Sequence, residues 1–528
     1  MKKIIAPLCL SLILCCCIGA KTSANPTDIV PRGSALLDAF ASLAAADAFG
    51  ASDTPEDFLG EPLYTRGQLA HLLEHLVQDE PQKLARIQQD DSENAALQAA
   101  IAGLRAELML DSVDLSEAEA TPAHGASISG YVQPEARVRI GGDQKPGSGA
   151  LGVYRATAQG HLRSNLSYVL SASNWPEDDR RVFQNDVGPH DFSAVNEAYL
   201  EVDGGRRLTV DIGRKFNRWG PGMRGAAMLG DNAPAMDQIH VAFPFSLGAK
   251  LGRNYSYEQL ISTFKANDKR DYFVARRVEY AFSQQWLADI QESYVTDRSW
   301  GLEFAPFPDY YNIKNSHLFG LRQQSTSLDI KNAINLTASY TTPSDSLRLY
   351  GQFQLQDLRT PGANSGITPR KSSYLVGGSL RPVSGTRLTL EYLFDDPTTY
   401  SSINYGTQWQ EGRYDEIAFP SGPNATEVYA RIDQHLGTKL TVSLEGRDRR
   451  RHDLSFPAPT ARDLAAIASY ALGRHNALQV TFHDYRQDPF PISPDVPVGN
   501  NLQPSNAEGN YGQFLRIRQL DVAYRFFF

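Results

Sequence analysis

The chain has 528 residues, with 51 Lys and Arg against 60 Asp and Glu, a formal net charge of -9. It is 41% hydrophobic, with a mean hydropathy of -0.37. The charge excludes a polybasic nucleic-acid binder, and no stretch after residue 24 offers the ~18 uninterrupted apolar residues of a spanning helix. All four cysteines (Cys9, Cys15, Cys16, Cys17) fall in the first 24 residues, so the rest has no disulfide or thiolate chemistry.

Lys2 and Lys3 precede an apolar run from Ile4 to Ala20, and the small residues Gly19, Ala20, Ser23 and Ala24 follow. Residues 1–24 therefore have the three regions of a secretory signal, with removal expected after Ala20 or Ala24. Cys15 to Cys17 suggest lipidation instead, but Leu14, Cys15 and Cys16 are poor substitutes for the small residue that such a site needs before its cysteine.

Residues 25–120 carry eighteen Asp or Glu against five Lys or Arg, a balance of -13. With three lysines in 1–24, that leaves +1 for residues 121–528. The acidic segment has helical periodicity. Ser34 caps a run from Ala35 to Ala48; Thr65 caps a second helix striped by Leu69, Leu72, Leu73 and Leu76; and a third, over 93–110, aligns Leu97, Ile101, Leu104 and Leu108. Short connections with Gly50, Pro55, Gly60, Pro62 and Pro81 make this a bundle of three or four helices, expected in the periplasm. Residues 62–73 faintly resemble a surface-layer-homology half-repeat, which would make peptidoglycan a partner. His71, Glu74 and His75 match the H-x-x-E-H zinc pattern, but they occupy the helix face opposite the leucine stripe, and a solvated polar face is the plainer reading.

From Ala126 the periodicity changes to two. Leu388, Leu390, Tyr392 and Phe394 alternate with Arg387, Thr389 and Glu391; Leu347, Leu349, Phe353 and Leu355 alternate with Arg348, Gln352 and Gln354; similar series run through Ile334–Tyr340 and Leu440–Leu444. The chain ends the same way, in Leu520, Val522, Tyr524, Phe526 and Phe528. One face suits lipid and the other water, as in an all-β transmembrane barrel, with the terminal strand as the signal read by the barrel-assembly machinery. Connectors alternate long (485–513, 447–462, 395–425, 357–371) with short (473–474, 436–437, 381–385, 341–345), the parity of extracellular loops and periplasmic turns. At roughly 20 to 25 residues per strand and connector, residues 121–528 predict about 16 to 18 antiparallel strands. Gly147, Gly149 and Gly152 imitate a dinucleotide fingerprint, but Leu151 to Ala158 continues as strand, so they mark a turn. The basic run Arg447, Arg449, Arg450 and Arg451 falls in the 447–462 loop, either as solvated charge or as a site for acidic lipopolysaccharide or capsule.

The segment 206–250 carries the most specific pattern. It reads Asp211-Ile212-Gly213-Arg214-Lys215, then Arg218-Trp219-Gly220-Pro221-Gly222, then Asp231-Asn232-Ala233-Pro234. This is similar to the signature of the Wzi family of outer-membrane capsule assembly proteins. Ala275-Arg276-Arg277, Gln291-Glu292-Ser293, Leu349 to Phe353, Gly422-Pro423-Asn424 and Arg32-Gly33-Ser34 also resemble family segments; at Gln352 the family leads one to expect an acidic residue. The resemblance implies an outer-membrane barrel with a periplasmic helical bundle that holds capsular polysaccharide at the cell surface.

The residue chemistry is compatible with lectin-like binding. Trp219 on a tight Gly-Pro-Gly turn offers a ring for sugars, and Arg214, Lys215, Arg218 and Arg224 suit uronate or pyruvate carboxylates. The candidate ligand-binding residues are Arg214, Arg218, Trp219, Arg224, Asp231, Asn232, Arg449 and Arg450. The competing reading is that the segment folds inward as a structural plug or bulge. At the level of function the alternative is a diffusion porin whose polar lumen passes small solutes. No motif assembles a nucleophile, base and orienting group, so no catalytic residue, metal or cofactor is expected.

Overall fold

The computed structural model describes residues 81–90, single positions of a helical core between 30 and 104, and, from 126 to 527, the strands given below with 208–223, 225–230 and some turn residues. Eighteen antiparallel strands form one sheet. In chain order they begin with β1 (Ala126–Gly142), β2 (Ser148–Arg163), β3 (Leu166–Ser173), β4 (Ala194–Asp203), β5 (Thr209–Lys215) and β6 (Met236–Phe245). Next come β7 (Tyr255–Ala266), β8 (Lys269–Ala281), β9 (Trp286–Thr296), β10 (Lys331–Thr341), β11 (Leu347–Gln356), β12 (Lys371–Leu380) and β13 (Thr386–Asp395). A two-stranded hairpin, β14 (Gln410–Glu411) and β15 (Asp415–Glu416), is inserted before the last five wall strands. These are β16 (Ala425–Leu436), β17 (Leu440–Arg451), β18 (Thr460–Gly473), β19 (Asn476–Gln487) and β20 (Leu515–Phe527).

The sheet closes on itself. β1 pairs with β2 on one side and with β20 on the other, from Tyr131 opposite Phe527 to Gly142 opposite Ile517. Closure leaves no open edge, which is the condition for strands to cross lipid. The expected parity of connectors recurs from β10 onward: short turns join β10 to β11, β12 to β13, β16 to β17 and β18 to β19, and the longer connectors between these hairpins lie at the other end, where β7 and β8 are joined by only two residues.

Alternation sets the two faces. Val376, Leu390, Leu444 and Leu464 point outward and are 52–61% exposed, whereas their inward neighbours Leu375, Glu391, Ser443 and Asp463 are buried. Aromatic pairs edge the outer face near both ends: Tyr255–Tyr280 (4.5 Å) and Trp286–Tyr340 (4.7 Å) at the short-turn end, and Tyr374–Phe394 (5.1 Å) at the long-loop end. Two such girdles flank the lipid-facing band of membrane barrels. Among the described residues no helix is long and apolar enough to span a membrane.

In the N-terminal part, Leu69, Leu72, Leu73, Leu76, Leu97, Ile101 and Leu104 are buried in one core, as their stripes predict. Leu108, His71, Glu74 and His75 lie outside the described residues. Pro81, expected in a connection, instead opens a helix, α1 (Pro81–Gln89), which adds Leu84 and Ile87 to the core. Proline is tolerated there because the first amide of a helix has no intrahelical acceptor.

The basic run is also corrected. Arg447, Arg449, Arg450 and Arg451 are residues of β17, not of a loop. The strand continues because its charges have partners on the wall: Arg447 lies 3.4 Å from Asp463, and Arg450 lies 3.7 Å from Asp448. Alternation then sends Arg449 and Arg450 to opposite faces.

Candidate functional site

The connector between β5 and β6 turns into the barrel. The amide of Trp219 donates to the carbonyl of Leu229 at 3.0 Å, pinching the connector into a compact plug. Trp219, Met223 and Ala226 to Leu229 are at most 2% exposed. Trp219 and Ala227 to Leu229 pack with Leu260 of β7, Phe273 and Ala275 of β8, Ala333 of β10, Leu375 of β12 and Leu393 of β13 in one apolar cluster. Those wall residues face inward, so the lumen is not uniformly polar as alternation suggests. Its inner face turns apolar where the plug docks.

Polar groups secure the plug to the wall opposite its own strands. Gln352 of β11 donates from Nε2 to the carbonyl of Trp219 at 3.3 Å and accepts at Oε1 from the amide of Ala227 at 3.0 Å. The amide does both, whereas an ionised carboxylate could not donate to Trp219, so glutamine fits these contacts where the resemblance leads one to expect an acid. Gln291 of β9 also reaches the Trp219 carbonyl, at 3.5 Å. Glu391 of β13 accepts from the amide of Met223 and, at 2.5 Å, from the hydroxyl of Tyr350.

Glycine serves this corner through space rather than torsion. A Cβ on Gly220 would stand 2.5 Å from both the Ala226 Cβ and the Gln352 Nε2, and one on Gly222 would stand 2.7 Å from Leu375. The positive φ angles fall at Gly213 (137°) and Gly225 (126°) instead.

A buried ionic chain runs along the inner wall beneath the plug. Lys215 Nζ lies 2.8 Å from Asp211 Oδ2, which also meets His240 Nδ1 at 2.9 Å. His240 Nε2 lies 3.6 Å from Glu258, which continues at 3.9 Å to Arg277. Arg277 also pairs with Glu279 and, at 3.3 Å, with Asp289. Gln291 then donates to Asp289 at 2.7 Å, joining this chain to the plug. Among the described residues no group of three or more His, Cys, Asp and Glu forms a metal-holding cluster.

Several sequence candidates take other places. Trp219 and Arg218 are 2% and 1% exposed, so neither presents a surface to a polymer, and Arg218 donates within the plug to the carbonyl of Gly222. Burying the indole in the apolar cluster explains the turn better than display. Lys215 is committed to Asp211. Arg214 is directed to the outer face, where its Nε and Nη2 donate to Asp237 at 2.8 and 3.1 Å. Arg224, Asp231 and Asn232 lie outside the described residues. The residues that sequence reasoning missed are Gln291, Gln352, Glu391 and the inward Leu375 and Leu393. A signal for the last two was present, since Leu375-Val376 and Tyr392-Leu393-Phe394 break the alternation.

The plug does not fill the barrel alone. Inward side chains are also buried on the remaining arc: Arg155 of β2, Glu197 of β4, Arg431 and Asp433 of β16 and Gln519 of β20 are all at most 5% exposed. Arg431 is held by Asp433 at 2.7 Å and Glu445 at 3.4 Å. The β14–β15 hairpin touches β7, six strands from β13 around the wall.

Similarity to solved structures agrees with this architecture. Wzi of Escherichia coli, an outer-membrane protein involved in group 1 capsule assembly and described as a carbohydrate-binding β-barrel, matches with a TM-score of 0.52 at 12% identity. The match covers 94% of this chain and 98% of that one. The chain has a Wzi-like fold. Two Pseudomonas aeruginosa proteins, OpdL and OccK2, match at TM-scores of 0.44 and 0.43, each at 12% identity over 76% of this chain and covering 99% and 97% of theirs. No protein-family model and no curated protein matches the sequence. The Wzi-like match extends over nearly the whole chain, beyond the barrel alone.

Proposed function

We propose that this protein is a closed outer-membrane barrel that binds or anchors capsular polysaccharide at the cell surface and assists capsule assembly, rather than a channel. The observation that carries the proposal is the filled lumen. Charged inward side chains such as Arg277, Glu391, Arg431 and Asp433 are at most 5% exposed, where a water-filled pore would leave them wet. A barrel that passes no solute still presents long loops outside the cell, and surface attachment uses those loops. The sequence resemblance around Trp219 and the carbohydrate binding described for the Wzi barrel support a capsular polysaccharide as the polymer. Residues 1–24 are the signal, 25–120 a periplasmic bundle, and 121–528 the membrane barrel. Arg224, Asp231 and Asn232, by their place in the connector that forms the plug, are the retained candidates for polymer contact, joined by the long loops.

Deleting the gene in an encapsulated strain tests this. Surface-bound polysaccharide is expected to fall and shed polysaccharide to rise; unchanged amounts of both would overturn the reading. Purified protein in a planar bilayer is expected to give no large, steady conductance, and such a conductance would establish the porin instead.

A further inference from the structure

The outer face of β17 to β20 departs from the apolar rule at its long-loop end. One row of directly opposed residues runs Asp448, Arg462, Arg486, Arg516. Arg450 and Arg518 adjoin it, two residues along on β17 and β20. All share the outward parity of Leu444, Leu464, Phe482 and Val522, which are exposed. Arg450 and Arg462 both lie against Asp448, at 3.7 and 3.5 Å. Arg516 and Arg518 both lie against Asp484, at 2.8 and 3.4 Å. Each aspartate orients two guanidinium groups, and with Arg486 the band's own side chains number five arginines against two aspartates.

Its depth is informative. Every member is within three residues of the long-loop end of its strand, and the next outward row but one is Leu444, Ala466, Phe482 and Leu520. Arginine on the lipid face costs ~2–4 kcal/mol at mid-membrane but about 0–1 near the interface, so this row belongs at headgroup depth with acyl chains beneath it. The corresponding end of β11 to β13 carries Phe353, Tyr374 and Phe394, so the band does not continue onto that arc.

From this placement we infer that β17–β20 form a docking band for a doubly phosphorylated glycolipid of the outer leaflet, of the lipid A type. Guanidinium groups bind phosphate through paired, charge-assisted hydrogen bonds. Arg450/Arg462 and Arg516/Arg518 form two clusters. With strands ~4.8 Å apart, the two clusters are separated by two spacings, ~10 Å, between Arg462 on β18 and Arg516 on β20, and by at least three, ~14 Å, between Arg450 on β17 and Arg516. That separation suits a disaccharide with a phosphate at each end and exceeds what a single phosphate bridges. The inference rests on the outer-membrane orientation proposed above, which sets the long loops outside, but it concerns the lipid and not the polymer.

The test uses the full chain in detergent, with diphosphoryl lipid A, its dephosphorylated form and inorganic phosphate as probes and native mass spectrometry as readout. Diphosphoryl lipid A is expected to be retained at least about tenfold more tightly than the dephosphorylated lipid, with the difference shrinking as salt screens the band, and inorganic phosphate is expected not to displace it. The combined variant Arg462→Gln, Arg486→Gln, Arg516→Gln is expected to lose this preference, and the matching Lys variant to keep most of it. Equal retention of the two lipids by the native protein overturns the band, whether or not the Gln variant folds. An unchanged preference in a folded Gln variant does so too. Polysaccharide retention measured on the same preparations separates the two ideas. Lipid preference lost with polymer retained concerns the band alone, and polymer never bound while lipid preference persists strikes only the proposed function.

Discussion

At the scale of single residues, Gln352 shows how chemistry and position combine. Its amide bridges Trp219 and Ala227 of the plug, donating to one and accepting from the other. Gln352→Glu keeps the shape but removes the donor and adds a charge to a buried site, and is expected to cost about 1–3 kcal/mol. Denaturant unfolding in detergent checks this, and an unchanged midpoint would mean that the plug does not depend on the bridge. Gly220→Ala tests packing at the same corner, because the added methyl meets Ala226 and Gln352 at 2.5 Å. Overpacking of this kind costs about 1–3 kcal/mol, and the same melts should show a lower midpoint. Gln352 was legible in the sequence only as an oddity, since nothing local tells that its partner lies 133 residues away.

At the scale of elements, the plug and the ionic chain act together. Arg277 stands among Glu258, Glu279 and Asp289 with its side chain fully buried. Removing one partner of a buried ionic group leaves uncompensated charge, so Arg277→Gln is expected to destabilise by about 3–5 kcal/mol. Adding Glu279→Gln and Asp289→Asn should recover part of the loss, and failure of the triple variant to exceed the single one in stability would show that charge is not the cause. Replacing residues 219–229 with a short Gly-Ser linker is expected to give measurable bilayer conductance where none is expected of the native protein. A replaced protein that stays closed would place the barrier in the rest of the filled lumen. Strands and turns were legible because each is written in a local period or connector length. The plug was legible only as one of two readings, because Trp219 on a Gly-Pro-Gly turn suits display and burial equally.

At the scale of the whole molecule, every wall strand lies between Ala126 and Phe527 and the ring closes between β1 and β20. A chain beginning at residue 121 is therefore expected to fold into the closed barrel in detergent without the helical segment. Far-UV circular dichroism with resistance to heat and detergent checks this, and a barrel that forms only when residues 25–120 are present would tie the two parts into one folding unit. The charge division that marks them was already visible in the counts, since charge is a property of composition.

Period-two alternation, connector parity and the aromatic terminus were enough, in the sequence alone, to determine a membrane barrel of 16 to 18 strands, because lipid imposes its demand on every second residue of every strand. Which of those strands face a docked segment, that Trp219 and Arg218 turn inward while Arg214 turns outward, and that arginines from β17 to β20 meet in one band were decided only by the tertiary structure. These depend on contacts between residues far apart in the chain, and such contacts leave no period for a sequence to display.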